Sequence, residues 1–467
     1  VVLRVADQPE FVHPAQDAPY HFLTRVTQVD GAMGALQSDK HFEFEYEVPE
    51  DVWYFDENGA RVMPFAVLLE AALQPCGWIA SYVGSTLTSE SDLLFRNLDG
   101  KGTIRAEVFP QSGTLRTKVH HKSISRSAGM IIVSFHVECF LADPEDPTKS
   151  TLVYDLDTVF GFFPPSAFDN QAGLPTSAEQ RVLLDAPHDH VVNLEDRSLA
   201  KYFGGTARLA EPFLLMIDRV VHWNPKGGKK GLGTLRAEKD IDADEWFFKA
   251  HFYQDPVQPG SLGIEAMLQA LQFHMLEANL HEGMTSPRFE AIAVDLPHVW
   301  KYRGQVVPEA KLVSTTLEVV EVGEDARGRY ALADCSLWVD GKRIYEAQRL
   351  GMRLVEGGEP PRPRDAKRGA SMGVPSVGTS SASKPHSSGT SAANASSKSV
   401  ASTIAATSTP TASGEEVLSL ATHPWLADHR PTHTVAVLPM MSALDRLVAA
   451  AEAELGPIDG LHELTME

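Results

Sequence analysis

Within the 467 residues, the stretch best equipped for proton transfer is WFFKAHFYQDPVQPGSLGIEAMLQ, from Trp246 to Gln269. It sets His251 just after an aromatic cluster, turns at Pro256 and at Pro259-Gly260, and then carries Glu265 and Gln269. An imidazole can take a proton, a carboxyl group can give one, and the unpaired N–H groups of a helix N-terminus can hold a developing oxyanion. These are the parts needed to move a proton next to a carbonyl. A single histidine beside aromatic residues is more often a packed or surface residue than a catalyst. The case therefore depends on the elements that position it.

Pro259 and Gly260 break the preceding chain and open an amphipathic helix, with Ser261 available as its N-cap and Glu265 in its first turns. The same element occurs earlier. PYHFLTRVTQVDG, from Pro19 to Gly31, parallels PFLLMIDRVVHWNPKGG, from Pro212 to Gly228, and FEFEYEVPEDVWYF ending at Phe55 parallels LRAEKDIDADEWFF ending at Phe248. Each is followed by a Pro-led helix, MPFAVLLEAALQ and QPGSLGIEAMLQ. With Pro64 set on Pro259, Glu70 falls on Glu265 and Gln74 on Gln269 without a gap. After each helix come alternating apolar stretches such as MIIVSFHVECFL and RYALADCSLWVD, which have the period of strands with one buried face. The repeat predicts two α+β units, each a long helix wrapped by an antiparallel sheet.

The run from His251 resembles the active-site segment of the hotdog-fold 3-hydroxyacyl thioester dehydratases, the FabA type of fatty-acid synthesis. The match is His251-Phe252, Asp255-Pro256-Val257, Pro259-Gly260, Glu265 and Gln269. The resemblance implies a tandem, or double, hotdog, the intramolecular counterpart of the family's homodimer. It divides the chain into a first hotdog over 1–165, a connection over 166–204 and a second hotdog over 205–356. A disordered Ser/Ala/Thr/Pro linker over 357–415 and a truncated start of a further dehydratase-like hotdog over 416–467 complete the expected order.

The first repeat departs from the motif where it matters. Between Trp53 and Pro64 it is two residues shorter than its counterpart, and the histidine position falls on Asp56, Glu57 or Asn58. Phe65 stands where Gly260 does. In the family each site pairs the histidine of one hotdog with the helix acid of the other, so the resemblance implies that His251 meets Glu70. Glu265 then faces a site without a base. An intrachain pairing of His251 with Glu265 is the other arrangement.

By the same resemblance, His251 takes the C2 proton of a 3-hydroxyacyl thioester, and Glu70 donates to or orients the departing hydroxyl. The Gly260 N–H holds the thioester oxygen, and the Val257 carbonyl fixes the histidine tautomer. Gln74 is expected to bond the carboxyl or the substrate hydroxyl. The product is a trans-2-enoyl thioester; the motif leaves open whether the bond is then moved to cis-3. Two other functions remain readable, a hotdog acyl-thioesterase and a non-catalytic acyl-binding or scaffold module.

Composition bounds the remainder. The formal charge of −21 argues against a nucleic-acid-binding role. Three scattered cysteines and no signal peptide or membrane-length apolar run read as a reduced, cytoplasmic protein without membrane spans. Cys76, inside an apolar helical pattern, reads as a buried hydrophobe. His188 and His190 have metal-like spacing but no third ligand, so no metal is expected. Val at position 1 and the ending LTME read as a piece of a longer polypeptide.

From Ala370 to Gly414 the chain is mostly Ser, Ala, Thr, Gly and Pro, a tether of about 45 residues with a reach of roughly 40 Å. Beyond it, LATHPWLADHRPTHTVAVLPMMSALDRLVAAAEAEL resembles the opening of a polyketide-synthase dehydratase, with His429 and Asp445 at its histidine and acid positions. The order as a whole resembles a polyunsaturated-fatty-acid synthase. That implies an acyl carrier protein as partner, its phosphopantetheine carrying the substrate, other synthase domains alongside and no bound cofactor. A homodimer of double hotdogs stays open. Lys226, Lys229 and Lys230, or Arg96, Lys101 and Arg105, are candidates for docking an acidic carrier.

Overall fold

The computed structural model describes residues 20–359, except 88, 90, 91, 128, 144–148, 253 and 254. It also gives two-residue strands at Arg4–Val5, Val417–Leu418 and Leu464–Thr465. Of the linker expected over 357–415, residues 357–359 are held by Ser286 and Arg208 and the rest lie outside the described residues, as do the candidates His429 and Asp445.

The two repeats build the same unit twice. In the first, the strands lie in the spatial order Arg25–Gln28, Lys40–Glu47, Thr114–Ser127, Met130–Ala142, Ser150–Phe163 and Leu94–Ile104. In the second the order is Arg219–Asn224, Thr234–Asp240, Leu312–Glu324, Arg329–Val339, Lys342–Glu356 and Pro297–Tyr302. The last strands of the two units pair antiparallel, with Asp99 opposite Lys301 and Thr103 opposite Pro297. Among the described residues these twelve strands, with three short ones at Val192–Asn193, Pro287–Phe289 and Leu464–Thr465, form one continuous sheet. It is a double hotdog, as the repeat predicts.

The strand pattern explains which way each sheet faces. In Met130–Ala142 the side chains of Ile131, Val133, Phe135, Val137 and Cys139 are buried and alternate with partly exposed neighbours. A period of two puts one face on the helix and the other towards solvent. The helix Phe65–Tyr82 packs on the first sheet and Gly260–Glu277 on the second, and the two helices touch each other.

That contact corrects the amphipathic expectation. Every residue from Ser261 to Leu276 is buried, because the second helix lies between its own sheet and the first helix. Both helices begin after a proline, Pro64 and Pro259, whose extended ψ of 151° and 133° turns the chain into the first helical residue. Ser261 is therefore not the N-cap; Pro259 is, and its helix has no side-chain cap.

The connection between the units starts against the first sheet, with Phe168 on Phe163 and Arg96, and passes on to the second. Its helix, Ala178–Leu184, opens with a capping box of Ser177 and Gln180 and packs on the strands Thr234–Asp240 and Leu312–Glu324. Arg181 lies over the Trp338 ring, and Arg343 donates to the Pro175 carbonyl. His188 and His190 approach different carboxylates, Glu238 at 3.7 Å and Glu277 at 3.8 Å. Among the described residues no three ligating side chains gather round a common point. All three cysteines are buried and unpaired. No helix among the described residues is long and apolar enough to cross a membrane.

Candidate active site

His251 follows the short helix Trp246–Ala250 as its C-cap. The aromatic cluster before it is an anchor: Trp246 stacks on Phe213 at 4.6 Å and meets Tyr20 at 5.4 Å and Trp53 at 5.6 Å. Residues of both units thus hold the start of the segment. The His251 ring stacks on Phe252 at 3.9 Å, and its Nδ1–H donates to the Val257 carbonyl at 3.0 Å. With Nδ1 committed, Nε2 is the basic nitrogen. Enclosure by protein atoms pushes the imidazole pKa down to about 4; the Arg96 charge acts in the same direction, against Val257 and Asp255. The ring is neutral at ordinary pH.

Next to this loop stands the N-terminus of the second central helix. Gln258 N donates to the Val306 carbonyl at 3.0 Å, which fixes the approach to Pro259. Gly260, the first helical residue, is pressed against Tyr302, where an added Cβ would lie 2.6 Å from a ring carbon. Only a residue without a side chain fits there, and the first helical N–H groups lack partners within the helix.

Glu70, from the first repeat, reaches this helix end. Ser261 Oγ donates to its Oε1 at 2.7 Å and also lies 2.7 Å from the Tyr20 hydroxyl. The carboxyl is buried, and desolvation raises its pKa to about 7, with the Ser261 and Gln74 hydrogen bonds opposing. Flanking Leu68, Leu69, Ala71 and Ala72 supply the apolar surroundings.

Glu265 is placed at the opposite end. Its Oε2 accepts from the Ala66 N–H at 3.4 Å, in the first turn of the first central helix, and Gln269 Nε2 donates to its Oε1 at 3.2 Å. Burial raises it to about 7 as well. The two acids are therefore exchanged between the units, each at the head of the other's helix.

The surroundings of Glu265 are closed. Phe65 fills the position of Gly260, its ring edge against His298 at 5.0 Å and Tyr154 at 6.1 Å. The three residues at the histidine position serve other ends. Asp56 pairs with Arg61 at 2.7 Å, Glu57 accepts the Phe213 N–H at 2.9 Å, and Asn58 donates to the Val62 carbonyl at 2.9 Å.

Gln74 and Gln269 play a matched part. Gln74 accepts from Phe22 N and donates to the Tyr20 carbonyl, both at 2.8 Å. Gln269 accepts from Met216 N at 2.7 Å and donates to the Leu214 carbonyl at 2.9 Å. Each side-chain amide pairs with the backbone of its unit's opening segment and also bonds the carboxyl one turn before it, Glu70 for Gln74 and Glu265 for Gln269.

Sequence reasoning missed Tyr20 and the bond from Ser261 to Glu70. Ser261 was legible as a hydroxyl at the helix entry, but its partner lies 191 residues away. Arg96, one of the docking candidates, is instead buried in an ion pair with Asp255. Lys101 and Arg105 lie nearer the surface and pair with Asp157 at 3.5 Å and Asp295 at 3.4 Å. Lys226, Lys229 and Lys230 are exposed.

Glu70 of the first repeat and the His251 loop of the second thus both adjoin the N-terminus of the Gly260–Glu277 helix, in a double hotdog. The profile of the FabA-like domain matches residues 15–143 and again 209–348, and the chain belongs to that family. A polyunsaturated fatty acid synthase polypeptide of a Thraustochytrium species is 31% identical over 368 residues, covering 73% of this chain and 23% of that protein. The chain thus spans about a quarter of the length of that relative.

Among solved structures, the dehydratase domain from the CurK module of curacin polyketide synthase is 13% identical. It has a TM-score of 0.41, with 72% of this chain and 98% of that one covered. The dehydratase domain of the CurF module is also 13% identical, with a TM-score of 0.39 over 70% of this chain and 97% of that one.

Proposed function

We propose that the chain removes water from 3-hydroxyacyl thioesters to give trans-2-enoyl thioesters, through one site built from both repeats. The observation that carries the reading is the placement of Glu70, a buried carboxyl raised to about 7, at the helix end that adjoins the neutral His251.

His251 Nε2 takes a proton from C2, and the electron pair passes into the thioester carbonyl as an enolate. The Gly260 N–H at the helix N-terminus holds that oxygen, a contribution of about 3 kcal/mol for one such donor. The enolate then reforms the carbonyl and a C2–C3 double bond, and the C3–O bond breaks. Glu70 gives its proton to the departing oxygen, which leaves as water. A proton passed from the imidazolium to the carboxylate restores both groups. Glu70 can donate because its burial keeps it protonated near neutral pH.

The relative's name suggests the setting, a polyunsaturated fatty acid synthase; on our reading, substrate is delivered there on the phosphopantetheine of an acyl carrier protein, with other synthase domains nearby. On this reading the first repeat is a half without a base, and Glu265 is not part of a working site. The test is hydration of a trans-2-enoyl thioester, followed by the loss of the enoyl absorbance. Water addition by the wild type and not by His251→Ala supports the reading, whereas release of free thiol would make the chain a thioesterase.

A further inference from the structure

We propose that Arg96 of the first repeat is a positioning residue for His251, bracing the histidine loop through Asp255, so that the half without a histidine at the motif position supplies both the acid and the brace for the base. The proposal rests on the dehydratase reading for its effect on rate, but not for its effect on the histidine itself.

Arg96 is the third residue of the strand Leu94–Ile104, in the seam where the two sheets meet. Its guanidinium grips Asp255 with two parallel bonds, Nη1 to Oδ2 at 2.5 Å and Nη2 to Oδ1 at 2.8 Å. Nε donates to Gln305 Oε1 at 2.8 Å and Nη1 to the Phe95 carbonyl at 2.8 Å. Its flat face lies 5.7 Å from the Phe252 ring and 5.0 Å from Phe168. Planar, bidentate and stacked contacts at one residue are the work of a guanidinium, and an ammonium cannot reproduce them.

The loop needs such a brace. It runs from the end of a five-residue helix to Pro259, and among its described residues the internal ties are the bond from His251 to Val257 and a bridge between Phe252 and Asp255. Asp255 and Phe252 are thus coupled to each other and both held by Arg96, while Phe252 carries the stacked His251 ring. A shift of about 1 Å in a catalytic group can lower a rate about a hundredfold. Fixing Asp255 fixes the imidazole.

Charge adds a second, separable effect. The charged groups that act on His251 are Arg96, which disfavours the imidazolium, and Asp255, which favours it. Removing Arg96 alone leaves the carboxylate unopposed, and the histidine becomes easier to protonate. Removing both charges cancels most of that change without restoring the brace.

The experiment uses the whole chain as wild type, Arg96→Lys, Arg96→Ala, Asp255→Asn and the double variant Arg96→Ala/Asp255→Asn. His251 is titrated by NMR with labelled histidine, assigned by its loss in His251→Ala. Hydration of a trans-2-enoyl thioester gives kcat and KM, and thermal unfolding checks the fold.

Arg96→Ala should raise the His251 midpoint by about one pH unit, and the double variant should bring it back towards wild type. Arg96→Lys should lower kcat about tenfold with KM near wild type, because charge is kept and the two-pronged grip is lost. An unmoved titration in Arg96→Ala overturns the contact between Arg96 and the histidine loop, and full kcat in Arg96→Lys overturns the brace. A shifted titration in a chain without hydration activity upholds that contact and removes the dehydratase reading instead.

Discussion

Glu70 accepts a 2.7 Å hydrogen bond from Ser261, a residue of the other repeat at the head of the other central helix. This bond joins the acid of a half that lacks a histidine at the motif position to the helix end beside His251.

Ser261→Ala should weaken catalysis without unfolding the chain. The hydroxyl orients Glu70 and links it to Tyr20, and one such bond is worth about 1 kcal/mol, so a fall of about fivefold in kcat is expected. Losing its opposing bond should also move the Glu70 pKa further up, which shifts the alkaline limb of the rate profile to higher pH. Steady-state kinetics across pH measures both.

Activity should follow a bell between about pH 4 and about pH 7. The base must be neutral, which holds above the lowered His251 pKa, and the acid must be protonated, which holds below the raised Glu70 pKa. Stability has its own dependence. A carboxyl raised from 4.5 to about 7 favours the folded state most below pH 4.5, and that favour is lost as pH rises to about 7. Glu70→Gln and Glu265→Gln should each gain stability relative to wild type between pH 5 and pH 8. Urea unfolding at both pH values checks this.

Gln269→Leu should destabilise the second unit by about 2–4 kcal/mol, because the Met216 N–H and the Leu214 carbonyl lose a buried partner together. A change below about 0.5 kcal/mol in denaturant unfolding would show that water or another group takes its place.

Phe65→Gly should cost about 3–5 kcal/mol, since it empties a packed site against Tyr154 and His298. It should not create a second active site. Opening room beside Glu265 supplies no histidine on the loop that carries His251 in the other repeat, because Asp56, Glu57 and Asn58 occupy that position. Rate per chain measured alongside stability distinguishes the two effects.

The tandem fold was legible because Pro64 and Pro259 start helices that carry Glu and Gln in the same register. The exchange of acids was legible only through the family resemblance, since spacing alone allowed His251 to pair with either. Three features were not legible. Burial of the second helix on all sides, and of the first from Phe65 to Leu73, follows from their contact with each other, which no single-helix pattern reveals. Gln74 looked like a catalytic amide because its backbone partners lie 52 and 54 residues away. Arg96 looked like a surface cation because its carboxylate partner is 159 residues away, in the other repeat.

The cross-repeat site is tested most directly by hydration kinetics of the whole chain as wild type, His251→Ala, Glu70→Gln and Glu265→Gln. The account predicts losses of about 10²–10⁴-fold in kcat for His251→Ala and Glu70→Gln, with Glu265→Gln within about threefold of wild type. A crippled Glu265→Gln beside an active Glu70→Gln would contradict it, and would mean that His251 works with the acid of its own helix.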